Sequence, residues 1–223
     1  MRKYLKYVLC LCLLFMLCGC SEEEKKVNYT TEKVNGKTIY NIENEKYIES
    51  EEATNYIKID VNNYGIMIAE LYPKVAPITV ENIKELIKEK FYDGIIFHRV
   101  IKDFMIQTGD PTGTGMGGSE KEIKGEFEIN GIKNNISHTR GVLSMARRGS
   151  NPETEDTMNS ASSQFFIVHQ DSNFLDGSYA SFGKLLNGYD ILDKIATTST
   201  DQNDKPLNDI KMNSIRFVTL YEE

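Results

Sequence analysis

Tyr56-Ile57-Lys58-Ile59-Asp60-Val61, then Asn62-Asn63-Tyr64-Gly65, then Ile66-Met67-Ile68-Ala69-Glu70-Leu71, is the stretch from which the fold is read. Ile57, Ile59 and Val61 alternate with polar residues, the period of a strand with one buried face. Asn62, Asn63 and Gly65 supply turn chemistry. Ile66 to Leu71 is apolar on both faces, which suits a barrel wall between a core and a covering helix. Pro77 opens a predicted helix, at a position where the missing N–H costs nothing. Val80, Ile83 and Ile87 share one face of it, with Lys and Glu on the other. Short apolar runs follow at 95–97, 104–107, 142–146, 165–168, 179–182 and 215–220, separated by Gly, Asn and Asp. Gly188 to Ala196 reads as a second helix through Ile191, Leu192 and Ile195. Many short strands with two helices predict a mainly β fold, a closed barrel or a sandwich that buries its own sheet edges.

The 223 residues suffice for one ordinary domain, and 40% hydrophobic with 26% charged residues is a globular composition. The formal charge is −7. Without the first nineteen residues, which hold Arg2, Lys3 and Lys6, 23 bases face 33 acids, a charge of −10. No nucleic-acid partner is expected of so acidic a chain, because phosphate binding depends on clustered Lys and Arg. The absence of a Gly-X-Y period, a sustained heptad or a second long apolar run excludes collagen, coiled-coil and multi-span architectures.

Residues 1–20 have a basic start, an apolar run from Tyr7 to Leu17, and then Cys18-Gly19-Cys20, the tripartite shape of a secretory signal. The run is well short of the roughly 20 residues a spanning helix needs. Leu17-Cys18-Gly19-Cys20 resembles the lipobox of bacterial lipoproteins, which implies cleavage before Cys20 and diacylglyceryl transfer to its thiol. The other reading is an uncleaved N-terminal anchor. Cys10, Cys12 and Cys18 lie in the discarded segment, so the mature chain keeps Cys20 alone and has neither an internal disulfide nor a Cys metal site. Two acyl chains give stable anchoring where one does not. The expected organisation is therefore a lipoprotein signal over 1–19, a lipidated N-terminus and polar tether over 20–55, and a domain over 56–223. Glu22 to Glu24 and Glu49, Glu51 and Glu52 make the tether strongly charged. Within it Asn35-Gly36, between Val34 and Ile39, has the chemistry of a small hairpin.

Gly113-Thr114-Gly115-Met116-Gly117-Gly118 fits G-x-G-x-x-G by letter, but Asp110-Pro111 precedes it and Ser119-Glu120-Lys121-Glu122 follows, so a surface loop is the plainer reading. His98, His138 and His169 lack ligand spacing and read as structural; no metal is expected. A His–Ser–Asp triad can be assembled from loose residues in almost any chain and is not adopted.

One cluster remains. Phe97-His98-Arg99-Val100 is followed by Phe104-Met105-Ile106-Gln107 and Gly109-Asp110. Later come Ser144-Met145-Ala146, Ser163-Gln164-Phe165-Phe166, Phe174-Leu175-Asp176-Gly177 and Phe182-Gly183. In number and order these resemble the cyclophilin family of peptidyl-prolyl isomerases, from about Tyr56 to Leu220. Lys124-Gly125-Glu126-Phe127, Asn130-Gly131 and His138-Thr139-Arg140-Gly141 resemble its bacterial branch. The resemblance implies a closed eight-stranded antiparallel barrel capped by two helices, X-Pro segments of unfolded or exported proteins as substrate, and no cofactor.

The peptide bond before proline turns slowly because resonance raises the barrier to about 18–20 kcal/mol. No bond is broken, so a catalyst has only to favour the twisted state. A fixed donor near the proline nitrogen does this, and the resemblance gives Arg99 that catalytic role; its guanidinium stays charged and offers several donors in a rigid fork. It also implies that Phe104, Met105, Phe166 and Leu175 line the proline pocket. Gln107 then bonds the substrate backbone and helps orient Arg99, and Ala146, Arg147 and Gln164 edge the groove. Phe174 and Tyr179 complete the set. On their own, Met105 and Phe166 could be simple core, and Arg99 a surface cation making a weak salt bridge.

The chain departs from the family pattern in four places. Phe174 stands where many members have Trp, so weak cyclosporin binding is expected. Tyr179 stands where His is common, and Arg147 where Asn is common, adding charge to the groove edge. Asn151 to Asn159 is longer and more acidic than usual, through Glu153, Glu155 and Asp156, and reads either as an idle solvated loop or as a tuner of client choice. The expected function is an isomerase on the extracytoplasmic membrane face, held by a lipid on Cys20 and assisting exported proteins. The alternative is a non-catalytic module of the same fold that holds Pro-containing segments. A transporter-feeding lipoprotein needs two lobes and more length.

Overall fold

The computed structural model describes residues 28–222. Strands β1 (Tyr29–Val34), β2 (Lys37–Ile42) and β3 (Glu45–Glu49) precede β4 (Tyr56–Val61) and β5 (Gly65–Leu71). Then come β6 (Arg99–Ile101), β7 (Met105–Thr108), β8 (Val142–Met145), β9 (Phe165–Val168), β10 (Ser181–Asn187) and β11 (Met212–Leu220). The described helices are α1 (Pro77–Lys88), α2 (Glu155–Met158) and α3 (Tyr189–Ala196). Every strand pairing is antiparallel, in the order β1-β2-β3-β11-β4-β5-β10-β8-β9-β7-β6.

The sheet is open and has eleven described strands, instead of the expected closed barrel of eight. Its edge strand β6 pairs with β7 alone. Beside that edge the chain turns at Gly94 (φ +82°), so the apolar run 95–97 makes one isolated bridge, Ile96 to Lys211, and no ladder. Single backbone bonds cover the edge, from Phe97 N–H to the Ile210 carbonyl and from Val100 N–H to the Asp204 carbonyl, both 2.8 Å. Instead of the expected polar tether, residues 29–49 form β1 to β3, hydrogen-bonded to β11 through β3. Asn35 and Gly36, at φ +50° and +78°, make the tight turn between β1 and β2. The calls on 1–27, Cys20 among them, lie outside the described residues.

Alternation along β5 explains the meander. Met67, Ala69 and Leu71 enter the main core, while Ile66 and Ile68 point to the opposite face. There they meet Ile42, Tyr47 and Val218, so the outer face is covered by strands and not by the helix expected. Lys58 is buried in the same layer, paired with Glu49 and 3.8 Å from the centre of the Tyr40 ring. Asn28 completes the cover, donating to the Ile66 carbonyl (2.8 Å) and accepting from its N–H (2.9 Å).

Helix α1 buries Val80, Ile83 and Ile87 as their spacing predicts, and Leu86 with them. Its N-cap is Ala76, which has no capping side chain. The buried carboxylate of Glu126 takes that role, accepting from the N–H groups of Ile78 (3.0 Å) and Thr79 (2.8 Å) and from the Thr79 hydroxyl (2.7 Å). Helix α3 buries Ile191, Leu192 and Ile195, also as predicted. Helix α2 was not expected; it lies in the acidic stretch 151–159 and starts with a capping box between Thr154 and Thr157.

Candidate active site

The outer face of the sheet carries a second apolar cluster, remote from the meander: Met105, Val142, Phe166, Val168 and Leu175. Alternation again assigns the faces, since Ile106, Phe165 and Ile167 go to the main core. Strand register places three candidate side chains and two serines in one row. Arg99 pairs with Gln107, Gln107 with Phe166, Phe166 with Ser144 and Ser144 with Ser181, across β6, β7, β9, β8 and β10.

A hollow of about 180 Å³ opens over this row. Its floor is Met105, Phe166 and Leu175, all buried. Arg99, Phe104 and Gln107 form one side, and Ala146, Arg147 and Tyr179 the other. These are nine of the eleven residues singled out as catalytic or substrate-binding. Its size suits one residue of a peptide; small-molecule sites usually run to about 300–1,000 Å³. An adjoining hollow of about 390 Å³ shares Gln107, Ala146 and Arg147 and adds Gln164, so the tenth residue lies one step along a continuous groove. Phe174, the eleventh, stands outside both. It is 74% exposed on the rim, with its ring 5.6 Å from that of Phe104. A larger hollow of about 890 Å³ lies elsewhere, between β2, β3 and the end of α1. It gathers none of these residues, and Lys37, Lys88 and Arg216 mingle there with Glu49, Glu51 and Glu52.

Arg99 and Gln107 are neighbours by register, but the Gln107 amide donates to Gln164 (2.8 Å) and not to Arg99. The ion-pair partner of Arg99 is Asp204, 3.5 Å from Nε. Both side chains are about two-fifths exposed, so the pair orients the cation without neutralising it strongly. Asp204 was not foreseen. Its own backbone signal is an aspartate at φ +63° in a tight turn.

Asp110 was also missed as an organiser. Its buried carboxylate accepts from the N–H groups of Thr112 (2.7 Å), Thr114 (3.0 Å), Gly115 (2.6 Å) and Gly117 (3.1 Å). Burial alone raises this carboxyl, but the donors of Thr112, Gly117 and Gly115 outweigh it and hold it at about 2. The glycine loop thus wraps a carboxylate of its own chain, which occupies donors that a phosphate would need. A side chain at Gly117 would run into Asp110, at 2.2 Å. The carbonyls of Gly115 and Gly117 accept from the Gln164 amide (3.0 and 2.6 Å), so Asp110 fixes the loop, the loop fixes Gln164, and Gln164 fixes Gln107.

Arg147 does not add free charge to the groove edge. Its side chain is 2% exposed and lies between the rings of Tyr179 (4.8 Å) and Phe127 (5.1 Å). Both terminal nitrogens donate to Glu153, each at 2.9 Å. Arg148 pairs with Glu122 and with Asp156, so the acidic stretch is fastened to two arginines. Among the described residues no group of three or more His, Cys, Asp or Glu is placed to hold a metal ion. His169 ties Asp103 to α3, accepting from the Asp103 N–H (3.0 Å) and meeting Asp193 (3.1 Å). His98 is buried with both ring nitrogens unpartnered among the described residues.

A family model, cyclophilin type peptidyl-prolyl cis-trans isomerase/CLD, matches residues 56–217. The chain is 43% identical over 165 residues to peptidyl-prolyl cis-trans isomerase-like 2 of Rhizopus delemar, covering 73% of this chain but only 29% of that protein. It is 42% identical over 149 residues to peptidyl-prolyl cis-trans isomerase ppi1 of Schizosaccharomyces pombe, covering 66% of this chain and 90% of that one. The crystal structure of a cyclophilin type peptidyl-prolyl cis-trans isomerase from Cryptosporidium parvum in the presence of the dipeptide Ala-Pro superposes with a TM-score of 0.64 at 31% identity, over 75% of this chain and 99% of that one. The resemblance drawn from scattered motifs therefore extends through the fold, and the chain belongs to the cyclophilin-type peptidyl-prolyl cis-trans isomerase family.

Proposed function

We propose that this chain is a lipid-anchored isomerase on the extracytoplasmic face of a bacterial membrane, where it assists the folding of exported proteins. The observation that carries the catalytic part is the convergence of nine of the eleven candidate site residues, Arg99 among them, on one hollow. The proline ring enters the hollow against Met105, Phe166 and Leu175, and contact with these side chains removes it from water. Gln107, held by Gln164, offers its amide to the substrate backbone. Arg99, free to bond beyond its Asp204 contact, donates toward the proline nitrogen. As the imide twists, conjugation is lost and that nitrogen gains a lone pair. The cation then binds the twisted form better than either planar form, which lowers the barrier. The Gln164 side of the groove receives the residues before proline.

Support for the anchor comes from the lipobox-like Leu17-Cys18-Gly19-Cys20 and from the single cysteine it leaves. Asn28, which bonds Ile66 of β5, is eight residues after Cys20, so the chain between them reaches at most about 28 Å. The domain accordingly works close to the bilayer. The test is fractionation of cells making the full chain: Cys20→Ser shifts the protein from membrane to soluble fractions, and unchanged partition assigns the anchor to an uncleaved N-terminus. The catalytic part is tested by exchange of an X-Pro peptide with the Cys20→Ser chain; peptide binding without acceleration identifies a non-catalytic module.

A further inference from the structure

Beneath the hollow, and not in it, lies His138, 1% exposed. Its Nδ1 is 2.8 Å from Asp176 Oδ1. The same carboxylate accepts from the His138 N–H (2.8 Å) and the Ser137 hydroxyl (2.6 Å). A carboxylate only accepts, so Nδ1 carries the proton and Nε2 is the acceptor. The hydroxyls of Ser144 (3.0 Å) and Ser181 (3.2 Å) donate to it. The ring is stacked on Phe166 (6.1 Å, 18°) and meets the edge of Tyr179 (6.5 Å, 82°). One imidazole therefore bears on the floor and on the side of the hollow opposite Arg99: it meets β8 two residues before Ala146, β9 at Phe166, the loop just after Leu175, and Tyr179, and it is tied to β10 through Ser181. The Asp176–His138–Ser144 connectivity is that of a hydrolytic triad, but Ser144 is wholly buried and no carbonyl reaches it.

We propose that His138 is a positioning residue for isomerisation: its neutral imidazole, pinned by Asp176 on one side and by Ser144 and Ser181 on the other, holds Phe166 and the Leu175 loop in the geometry that receives proline. This rests on the reading of the hollow as the proline pocket. Protonation turns Nε2 from acceptor to donor. One hydroxyl can then accept from Nε2 only by rotating its own O–H to another partner, the single Nε2–H cannot serve both serines fully, and a charge is set in a buried site. The groups facing the ring are few. Asp176 and Tyr179 approach from the segment after β9, and Arg147 lies across the Tyr179 ring. Lys184 of β10 reaches the neighbouring Thr139 hydroxyl (3.3 Å), and β8 and β9 present Ser144 and Phe166. Burial pushes the imidazole below its ordinary value, and Asp176 restores part of the difference.

The experiment follows kcat/KM for exchange of an Ala-Pro peptide against pH, with near-UV circular dichroism to confirm the fold and NMR titration of the histidine rings. Activity is expected to hold at neutral pH and fall by about 10- to 100-fold as His138 titrates, with the fold retained. In His138→Asn activity is lowered throughout and the acid limb disappears. A flat profile while the His138 ring titrates overturns the proposal, and the wild-type measurement alone decides this. An acid limb that survives in His138→Asn belongs to another group and also overturns it. Absence of exchange at every pH overturns this proposal together with the isomerase reading, whereas exchange with a flat profile overturns this one alone.

Discussion

The outer face of one sheet carries two apolar clusters with different fates. Around Ile66, Ile68 and Val218 the chain supplies its own cover, the strands β1 to β3. Around Met105, Phe166 and Leu175 it supplies none, and a hollow opens beside a cation. The chemistry of the two clusters is alike; what differs is whether the chain spends a segment on them. The second face stays apolar and uncovered, rimmed by Arg99, Gln107 and Gln164, and it is there that the proposed function seats the substrate.

The largest effect is expected from stripping the first cluster. Removing residues 28–50 exposes three fully buried side chains, at about 1.5–3 kcal/mol each. The sum is comparable to the whole stability of a domain. The truncated chain is expected to aggregate or to melt far below the parent in thermal denaturation; an unchanged melting temperature would mean that the meander is only an appendage. Next comes the uncovered cluster. Arg99→Ala is expected to lower kcat/KM about 10²–10³-fold, by analogy with removal of one transition-state donor, and to leave the melting temperature within a degree or two. An Ala variant as fast as the parent would remove the electrostatic role. The two changes thus separate stability from catalysis on the same face.

A smaller effect tests the groove edge. Glu153→Gln takes the charge partner from Arg147, whose side chain is almost fully buried, and is expected to cost about 1–2 kcal/mol. That is a fall of roughly 2–8 °C in melting temperature. No change would return the acidic stretch to a solvated loop. The smallest effect is on ligand choice. Phe174→Trp adds an indole N–H on the exposed rim and is expected to tighten cyclosporin binding in a calorimetric titration, with isomerisation of short peptides unchanged.

Much of this was legible from the chain. The alternation of Ile57, Ile59 and Val61 gave β4, and the helical spacing of Val80, Ile83 and Ile87 gave one face of α1. Residues 29–49 were misread because Thr30 to Lys33 are polar and solvent-facing, while the apolar Ile39, Ile42 and Tyr47 are sparse. The signal that could have corrected the reading was in β5: Ile66 and Ile68 needed a cover, and no third long helix was available to provide it. The candidate site residues were named by resemblance, and strand register shows why they lie together, because Arg99, Gln107 and Phe166 become a row only once the strands pair. Partnerships across loops were beyond reach: Asp204 with Arg99, Glu153 with Arg147, and Asp176 with a buried His138 depend on how turns fold back.

The most direct measurement is two-dimensional exchange NMR of an Ala-Pro peptide mixed with the labelled Cys20→Ser chain. Cis–trans cross-peaks that require the protein are expected, with peptide-induced shifts at Met105, Gln107, Phe166 and Leu175. Shifts gathered instead around Lys37, Lys88 and Arg216, or binding without exchange, would contradict the isomerase reading.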